Sequence, residues 1–275
     1  MAEGDEPTSR DESGASPLVG GRFEVVEPLG AGGAGNVFRV VDHEQGDAAA
    51  LKVAHDLTLS DERLRDRFVR EAELLEGIDH PGVLSLRAWS GRSAPRPWMA
   101  TDYCPGGSLV DHIHAEGPPS AHMAADWALQ ILDALEHLHG LGMLHRDIKP
   151  DNMLLDAHGC AVLADFGVAR KPASRATQGG DVFGTPAFMA PEQFADATKA
   201  EPRSDLYGVG ATLFTLVTQR PCDQLLVARD AALARLPVPL QPVVDRATQP
   251  RADDRYPTAA AMAGDLADAL EQLPD

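Results

Sequence analysis

The chain has 275 residues, 44% of them hydrophobic and 24% charged, enough for one large core or two lobes and too apolar for a disordered chain. A formal net charge of -18 argues against a basic face for nucleic acid or anionic lipid, and no apolar run reaches the ~18 residues of a membrane span, so no membrane insertion is expected. Three widely spaced cysteines, Cys104, Cys160 and Cys222, fit the reduced thiols of a cytoplasmic protein better than a disulfide frame or a zinc site.

Residues 1–17, MAEGDEPTSRDESGASP, are acidic and polar without the apolar centre of a secretory signal, and they read as a disordered tail. RFEVVEPL then has strand character. It leads into GAGGAGNV at 30–37, which fits G-x-G-x-x-G through Gly30, Gly32 and Gly35. Three objects produce such a run: a dinucleotide-binding turn, a hairpin folded over ATP, or a flexible connection with no ligand. A dinucleotide turn must open a helix whose N-terminus faces the pyrophosphate, whereas 36–41 read as a strand ending in the turn DHEQGD. That excludes the dinucleotide reading, although Asp56 lies about twenty residues on, where a ribose-binding acid would sit. A further strand, AAALKVAHD, carries Lys52, one of only four lysines with Lys149, Lys171 and Lys199.

The segment 64–77 reads as a helix with Leu64, Phe68 and Leu75 on one face, and Glu71 falls on that same face. An acid on an apolar stripe either meets a cation, for which Lys52 is available, or sits at the edge and reaches water. Strands are expected at 83–89 and 98–101, followed by PGGSL. A long helix over 120–139 is expected to bury Trp127, Leu129, Ile131, Leu132, Leu135 and Leu138, with His137 and His139 as satisfied polar groups at its end. A helix over 205–218 is apolar all round and reads as the buried axis of the second half; 258–273 is an amphipathic helix. The order is a strand-rich first hundred residues around one helix, then a mainly helical remainder, with no internal repeat.

HRDIKPDN at 145–152 and DFG at 165–167 bring together groups that phosphoryl transfer needs. Asp147 offers a base for an attacking hydroxyl, Lys149 a cation near the moving group, and Asn152 and Asp165 the oxygens that Mg²⁺ prefers. Pro150 stiffens the loop that presents them.

With these motifs the chain resembles eukaryotic-type (Hanks-type) Ser/Thr protein kinases, and bacterial members most of all. The motifs occur in the family's order: GAGGAGNV, AALK with Lys52, Glu71, HRDIKPDN, DFG, GTPAF at 184–188, APE at 190–192 and SDLYGVG at 204–210. The resemblance implies an α+β, two-lobed protein-kinase fold: a small antiparallel sheet with one key helix in an N-lobe, 18–104, and a larger, mainly helical C-lobe, 105–275. It implies a serine/threonine protein kinase acting on protein substrates, itself included, with ATP and Mg²⁺, or Mn²⁺ in its place, as cofactors. The alternative reading is a pseudokinase that holds nucleotide and partners without transferring phosphate; loss of the Lys, the HRD Asp or the DFG Asp would mark it, and none is lost.

Roles carry over residue by residue. Lys52, held by Glu71, is expected on the α- and β-phosphates, Asp147 on the acceptor hydroxyl, and Asn152 and Asp165 on Mg²⁺, while Lys149 and Thr185 imply Ser or Thr acceptors. Val37, Ala50 and Leu154 are expected to sandwich adenine, with backbone of Asp102 and Cys104 at its edge and Thr101 as a small gatekeeper. Glu192 is expected to pair with Arg255, and Asp205 to brace the HRD backbone. Arg146 beside Asp147 asks for a phosphate between DFG and APE, with Thr177 the first candidate and Ser174 the second; an unmodified loop is the rival. Two features depart from many relatives: the glycine loop has Gly33 and Ala34 at its tip, and the stretch before Arg255 is short. Ser108 stands where arginine-directed relatives carry an acid, so no basic-peptide preference is expected.

Overall fold

The chain opens with β1 (Phe23–Ala31), β2 (Gly35–Asp42) and β3 (Asp47–Ala54) in a computed structural model that describes residues 18–31, 35–166 and 185–274. They join β4 (Leu86–Trp89) and β5 (Trp98–Asp102) in an antiparallel sheet of order β1-β2-β3-β5-β4. Phe23, Val40, Ala49, Leu51 and Ala100 fill one face and are fully buried. Between β3 and β4 lie α1 (Asp56–Ser60) and α2 (Glu62–Leu75). Asp61 caps α2 by accepting the Arg63 N–H, and Phe68, Val69, Ala72 and Leu75 form its buried stripe.

This first unit comprises the described residues up to Asp79 together with Leu84–Tyr103. Three of its details differ from expectation. The helix expected over 64–77 begins two residues earlier, at its Asp61 cap. Asp56 opens α1 instead of ending a strand, because His55 already turns the chain and its ring accepts the Thr58 N–H. The strand expected from residue 83 starts only at Leu86, since Val83 bridges Leu163 in the second unit.

One polar device in the first unit gives no signal in the sequence. The Asp42 carboxylate, fully buried at the end of β2, takes both arms of the Arg22 guanidinium at 2.7 Å, plus the turn amides of Glu44 and Gln45. The Arg22 hydrogen bonds outweigh burial and hold that carboxyl well below the usual carboxylate range. Arg87 of β4 extends the network to Asp47 and Asp102, tying the β2–β3 turn to the end of β5.

The second unit comprises residues 80–83 and 104–275, of which the described ones form helices and one hairpin. Ser108 and Asp111 close a reciprocal capping box on α3 (Leu109–Glu116), and Ser120 caps α4 (Ala121–Gly140). The α4 core is Trp127, Ile131, Leu132, Leu135 and Leu138 as expected, but Leu129 is only half-buried, lying at the edge of the stripe. A short hairpin, β6 (Met153–Leu155) and β7 (Ala161–Leu163), follows. Beyond it come α5 (Pro191–Ala195), α6 (Pro202–Thr218), α7 (Gln224–Val227), α8 (Arg229–Leu233), α9 (Gln241–Ala247) and α10 (Ala259–Leu270). Every residue of α6 from Ser204 to Leu216 is buried, and the helix packs on α4 and α9, so it is the axis of this unit. The stretch before Arg255 holds the short α7, α8 and α9 and two single-turn 3-10 segments, Val238–Leu240 and Ala252–Asp254. Among the described residues no helix is long and apolar enough to cross a membrane.

Arg255, with a fully buried side chain, meets both Glu192 oxygens at 2.8 Å and three backbone carbonyls, those of Gln249, Arg203 and Pro250. All five of its N–H groups are thereby used, and its guanidinium lies over the Tyr207 ring at 4.9 Å. Because the pair leaves nothing unsatisfied, breaking it strands a buried charge: Arg255→Met is expected to lower unfolding free energy by roughly 3–5 kcal/mol in urea titrations. Burial alone would raise the Glu192 pKa, but hydrogen bonds from Arg255 and Ser204 win and lower it below its ordinary 4.5. The unfolded chain therefore takes up the proton first on acidification. The stability this group contributes is present above pH 4.5 and lost below it, and Glu192→Gln should flatten that part of the stability curve.

Candidate active site

In the first unit the candidate residues lie on one face of its sheet. Side chains of directly paired residues share a face, and the register pairs Val37 with Lys52, Lys52 with Met99 and Ala50 with Thr101. Val37, Ala50, Lys52, Met99 and Thr101 therefore line the face opposite the Leu51 core. Across it, Lys52 Nζ donates to Glu71 of α2 at 2.9 and 3.1 Å, and Nζ lies 5.9 Å from the centre of the Phe68 ring. Both side chains are mostly shielded, 16% and 12% exposed, so the acid on the apolar stripe meets the lysine and does not reach out to water.

Of the three glycines, Gly35 has a packing reason: a Cβ there would collide with the Val53 carbonyl of β3. Gly30 faces open space. Gly32, the Gly33–Ala34 tip and the phosphosite candidates Thr177 and Ser174 lie outside the described residues. At the end of β5 the Asp102 N–H is spent on the Ser85 carbonyl at 3.0 Å and its carboxylate on Arg87. What remains to Asp102 is its carbonyl, which also accepts the Thr101 hydroxyl at 3.3 Å. In the second unit Leu154 lies on β6, while Cys104 accepts the Gly107 N–H at 3.2 Å just before α3.

The second unit carries the HRD and DFG residues, and they are fixed from below by α6. Asp205 accepts the His145 N–H at 3.0 Å, the Arg146 N–H at 2.7 Å and the His139 imidazole at 2.9 Å. Gly208, one turn on, has no room for a Cβ against Ile148, which lets the loop lie directly on the helix. His145 is fully buried, and desolvation lowers its pKa despite the nearby carboxylates, so its ring is neutral. Its Nε2–H donates to the Ala164 carbonyl at 3.0 Å, leaving Nδ1 for the Asp147 N–H at 3.4 Å. The same ring tilts against Phe166 with centroids 5.0 Å apart, joining HRD to DFG.

Asn152 and Asp165 are brought to one end of the β6–β7 hairpin by its register, Met153 opposite Leu163, and the Ala164 N–H donates to the Asn152 carbonyl at 2.9 Å. Both protons of the Asn152 side-chain amide are used on Asp147, at 2.8 Å to its carbonyl and 2.7 Å to its carboxylate. The amide oxygen is thus the atom left for a cation. Asp165 is exposed, with φ of 55°, and Arg146 has φ of 67°; left-handed backbone at non-glycine residues stores strain that the surroundings must hold. Lys149 Nζ lies 3.5 Å from the Asp147 carboxylate, both side chains nearly buried. A carboxylate and an amide oxygen are hard donors that fit Mg²⁺, which takes one or two protein ligands and completes its shell with water and phosphate.

Sequence reasoning missed Gln193 and the bracing role of His139. Gln193, 6% exposed on α5, donates its amide to the Arg146 carbonyl at 2.7 Å. Neither residue belongs to a motif; the nearest signal for His139 was its place directly after Leu138, the last residue of the apolar stripe of α4.

The protein kinase domain family matches residues 23–232. The chain is similar to the serine/threonine-protein kinase pkn2 of Myxococcus xanthus, 34% identical over 81% of this chain and 28% of that protein. It is also similar to PknL of Mycobacterium tuberculosis, 30% identical over 94% of this chain and 68% of that protein. The DNA damage-responsive kinase RqkA of Deinococcus radiodurans is 39% identical over 74% of this chain and 31% of its own length. The chain thus spans between about a quarter and two thirds of the length of these relatives. The crystal structure of the Mycobacterium tuberculosis PknI kinase domain shares the fold, with a TM-score of 0.68, 24% identity and coverage of 90% of this chain and 96% of that one. By its family match and its relatives, the chain belongs to the protein kinase domain family, among the bacterial serine/threonine-protein kinases.

Proposed function

We propose that the chain is a serine/threonine protein kinase that transfers the γ-phosphoryl group of Mg·ATP to hydroxyls of protein substrates. The arrangement around Asp147 supports this reading most directly: a carboxylate fixed by Asn152, 3.5 Å from Lys149, on a loop held by Asp205. In this reading the Asp147 carboxylate orients the acceptor Ser or Thr hydroxyl and takes its proton. The hydroxyl oxygen forms the new bond to the γ-phosphorus as the bond to the β-bridging oxygen breaks, and ADP leaves. Lys149 offsets the charge on the moving group, and Lys52, oriented by Glu71, holds the α- and β-phosphates. Asn152 and Asp165 would hold Mg²⁺, which would supply neutralisation of the phosphate charge.

For the base, Val37, Ala50 and Leu154 supply apolar contact, the Asp102 carbonyl accepts from the adenine amino group, and the Cys104 N–H donates to the ring. Thr101 leaves space behind it. Gly30, Gly32 and Gly35 let backbone N–H groups approach phosphate. Residues 18–104 and 105–275 are the two lobes of this kinase domain, preceded by a tail over 1–17. Protein substrates and the chain itself are its partners, a cytoplasmic setting follows, and nucleic acid does not take part.

Transfer of labelled γ-phosphate from Mg·ATP to the protein and to a generic substrate tests the reading. Asp147→Asn is expected to cut the rate by roughly 10²–10⁴ without loss of fold. A wild type no faster than this variant would replace the enzyme by a pseudokinase. Lys52→Met should weaken nucleotide binding and transfer together, and its Tm should fall because the shielded Glu71 carboxylate loses the Lys52 ammonium.

Autophosphorylation belongs to the same reading. After incubation with Mg·ATP, mass spectrometry should find phosphate between DFG and APE, on Thr177 before Ser174; full activity without modification would exclude it.

A further inference from the structure

We propose that Gln193 is a positioning residue for the catalytic loop: its side-chain amide fixes the peptide between Arg146 and Asp147, and with it the direction in which Asp147 is presented. The inference rests on the kinase reading for its consequence, and on the hydrogen bonds of one peptide for its basis.

Arg146 sits in the left-handed region, with φ of 67°, so the loop does not hold this conformation by its own preference. Its N–H is fixed by Asp205 at 2.7 Å. The next peptide group consists of the Arg146 carbonyl and the Asp147 N–H, and the latter donates to His145 Nδ1 at 3.4 Å. The short bond on that peptide is the one from Gln193 to the carbonyl, at 2.7 Å. On the far side of Asp147 its carbonyl is held by Asn152. Gln193 therefore supplies a short hydrogen bond from a buried side chain to the peptide that precedes the base.

Its own anchor is firm. Gln193 follows Glu192, whose carboxylate is locked onto Arg255, and it is buried on α5. A small cavity whose lining includes Arg146, Asp147, Phe188, Gln193, Asp205 and Gly208 lies beside the peptide.

Gln193→Glu keeps size and removes the donor, and Gln193→Met removes both polar atoms. Each is expected to lower kcat roughly tenfold, as a small misdirection of a catalytic group does. KM for Mg·ATP should stay within about twofold, since nothing that binds ATP is touched. In an Asp147→Asn background the same substitutions should change the residual rate less than about twofold, because the group they aim is gone. Unchanged kcat in both variants, or an undiminished further loss in that background, would overturn the inference. Should the wild type transfer no phosphate beyond Asp147→Asn, the kinase reading fails by itself. Amide hydrogen exchange over residues 145–149 then still decides on Gln193: faster exchange in Gln193→Glu supports it, and exchange equal to wild type sinks it.

Discussion

The Asp205 carboxylate on the buried axis of the second unit is the constraint on which the chemistry depends. A carboxylate sealed in a helix core is costly unless its lone pairs are used, and here three donors use them: two consecutive backbone amides of the HRD loop and the His139 ring. The loop and the acid stabilise one another. Neither would hold its geometry alone, since the loop contains a left-handed Arg146 and the acid sits among Leu206, Gly208 and Val209. Gly208 completes the arrangement by letting Ile148 rest on the helix backbone.

From that anchor the remaining site residues are placed by short, local devices. The neutral His145 ring bridges to the segment before Asp165. The β6–β7 register sets Asn152 beside that segment, and the Asn152 amide fixes Asp147. Two of the three left-handed non-glycine residues among the described ones, Arg146 and Asp165, lie in these loops, and Arg146 is held by hydrogen bonds to Asp205 and Gln193, far away in sequence. The first unit works differently. Its sheet separates a dry core on one face from a row of small and functional side chains on the other, and α2 lays Glu71 over Lys52.

Much of this was legible in the sequence because it is periodic or motif-bound. The strand-like run AAALKVAHD placed Lys52 on β3, the 3.6-residue stripe put Glu71 on the apolar face of α2, and an apolar helix over 205–218 read as an axis. HRDIKPDN and DFG named the chemistry through residue type and spacing alone. Less legible were the polar contacts between residues distant in sequence: the Arg22–Asp42–Arg87 network, His139 on Asp205, and Gln193 on Arg146. Each is a single side chain in an ordinary-looking segment, and nothing in local patterning marks its partner.

The sequence by itself determined the family, the order of elements and the identity of the groups that can carry phosphoryl transfer, because residue type and spacing are enough to specify backbone period and functional-group chemistry. It also narrowed Glu71 to two options without choosing between them. Tertiary structure made that choice by bringing Nζ of Lys52 within 2.9 Å, and it alone showed that Gly35 is needed against Val53 while Gly30 faces open space. It likewise decided which amide proton, carbonyl or carboxylate oxygen is already spent. Hydrogen bonding between distant segments is set by how the chain packs, and such pairings leave no period in the sequence to read.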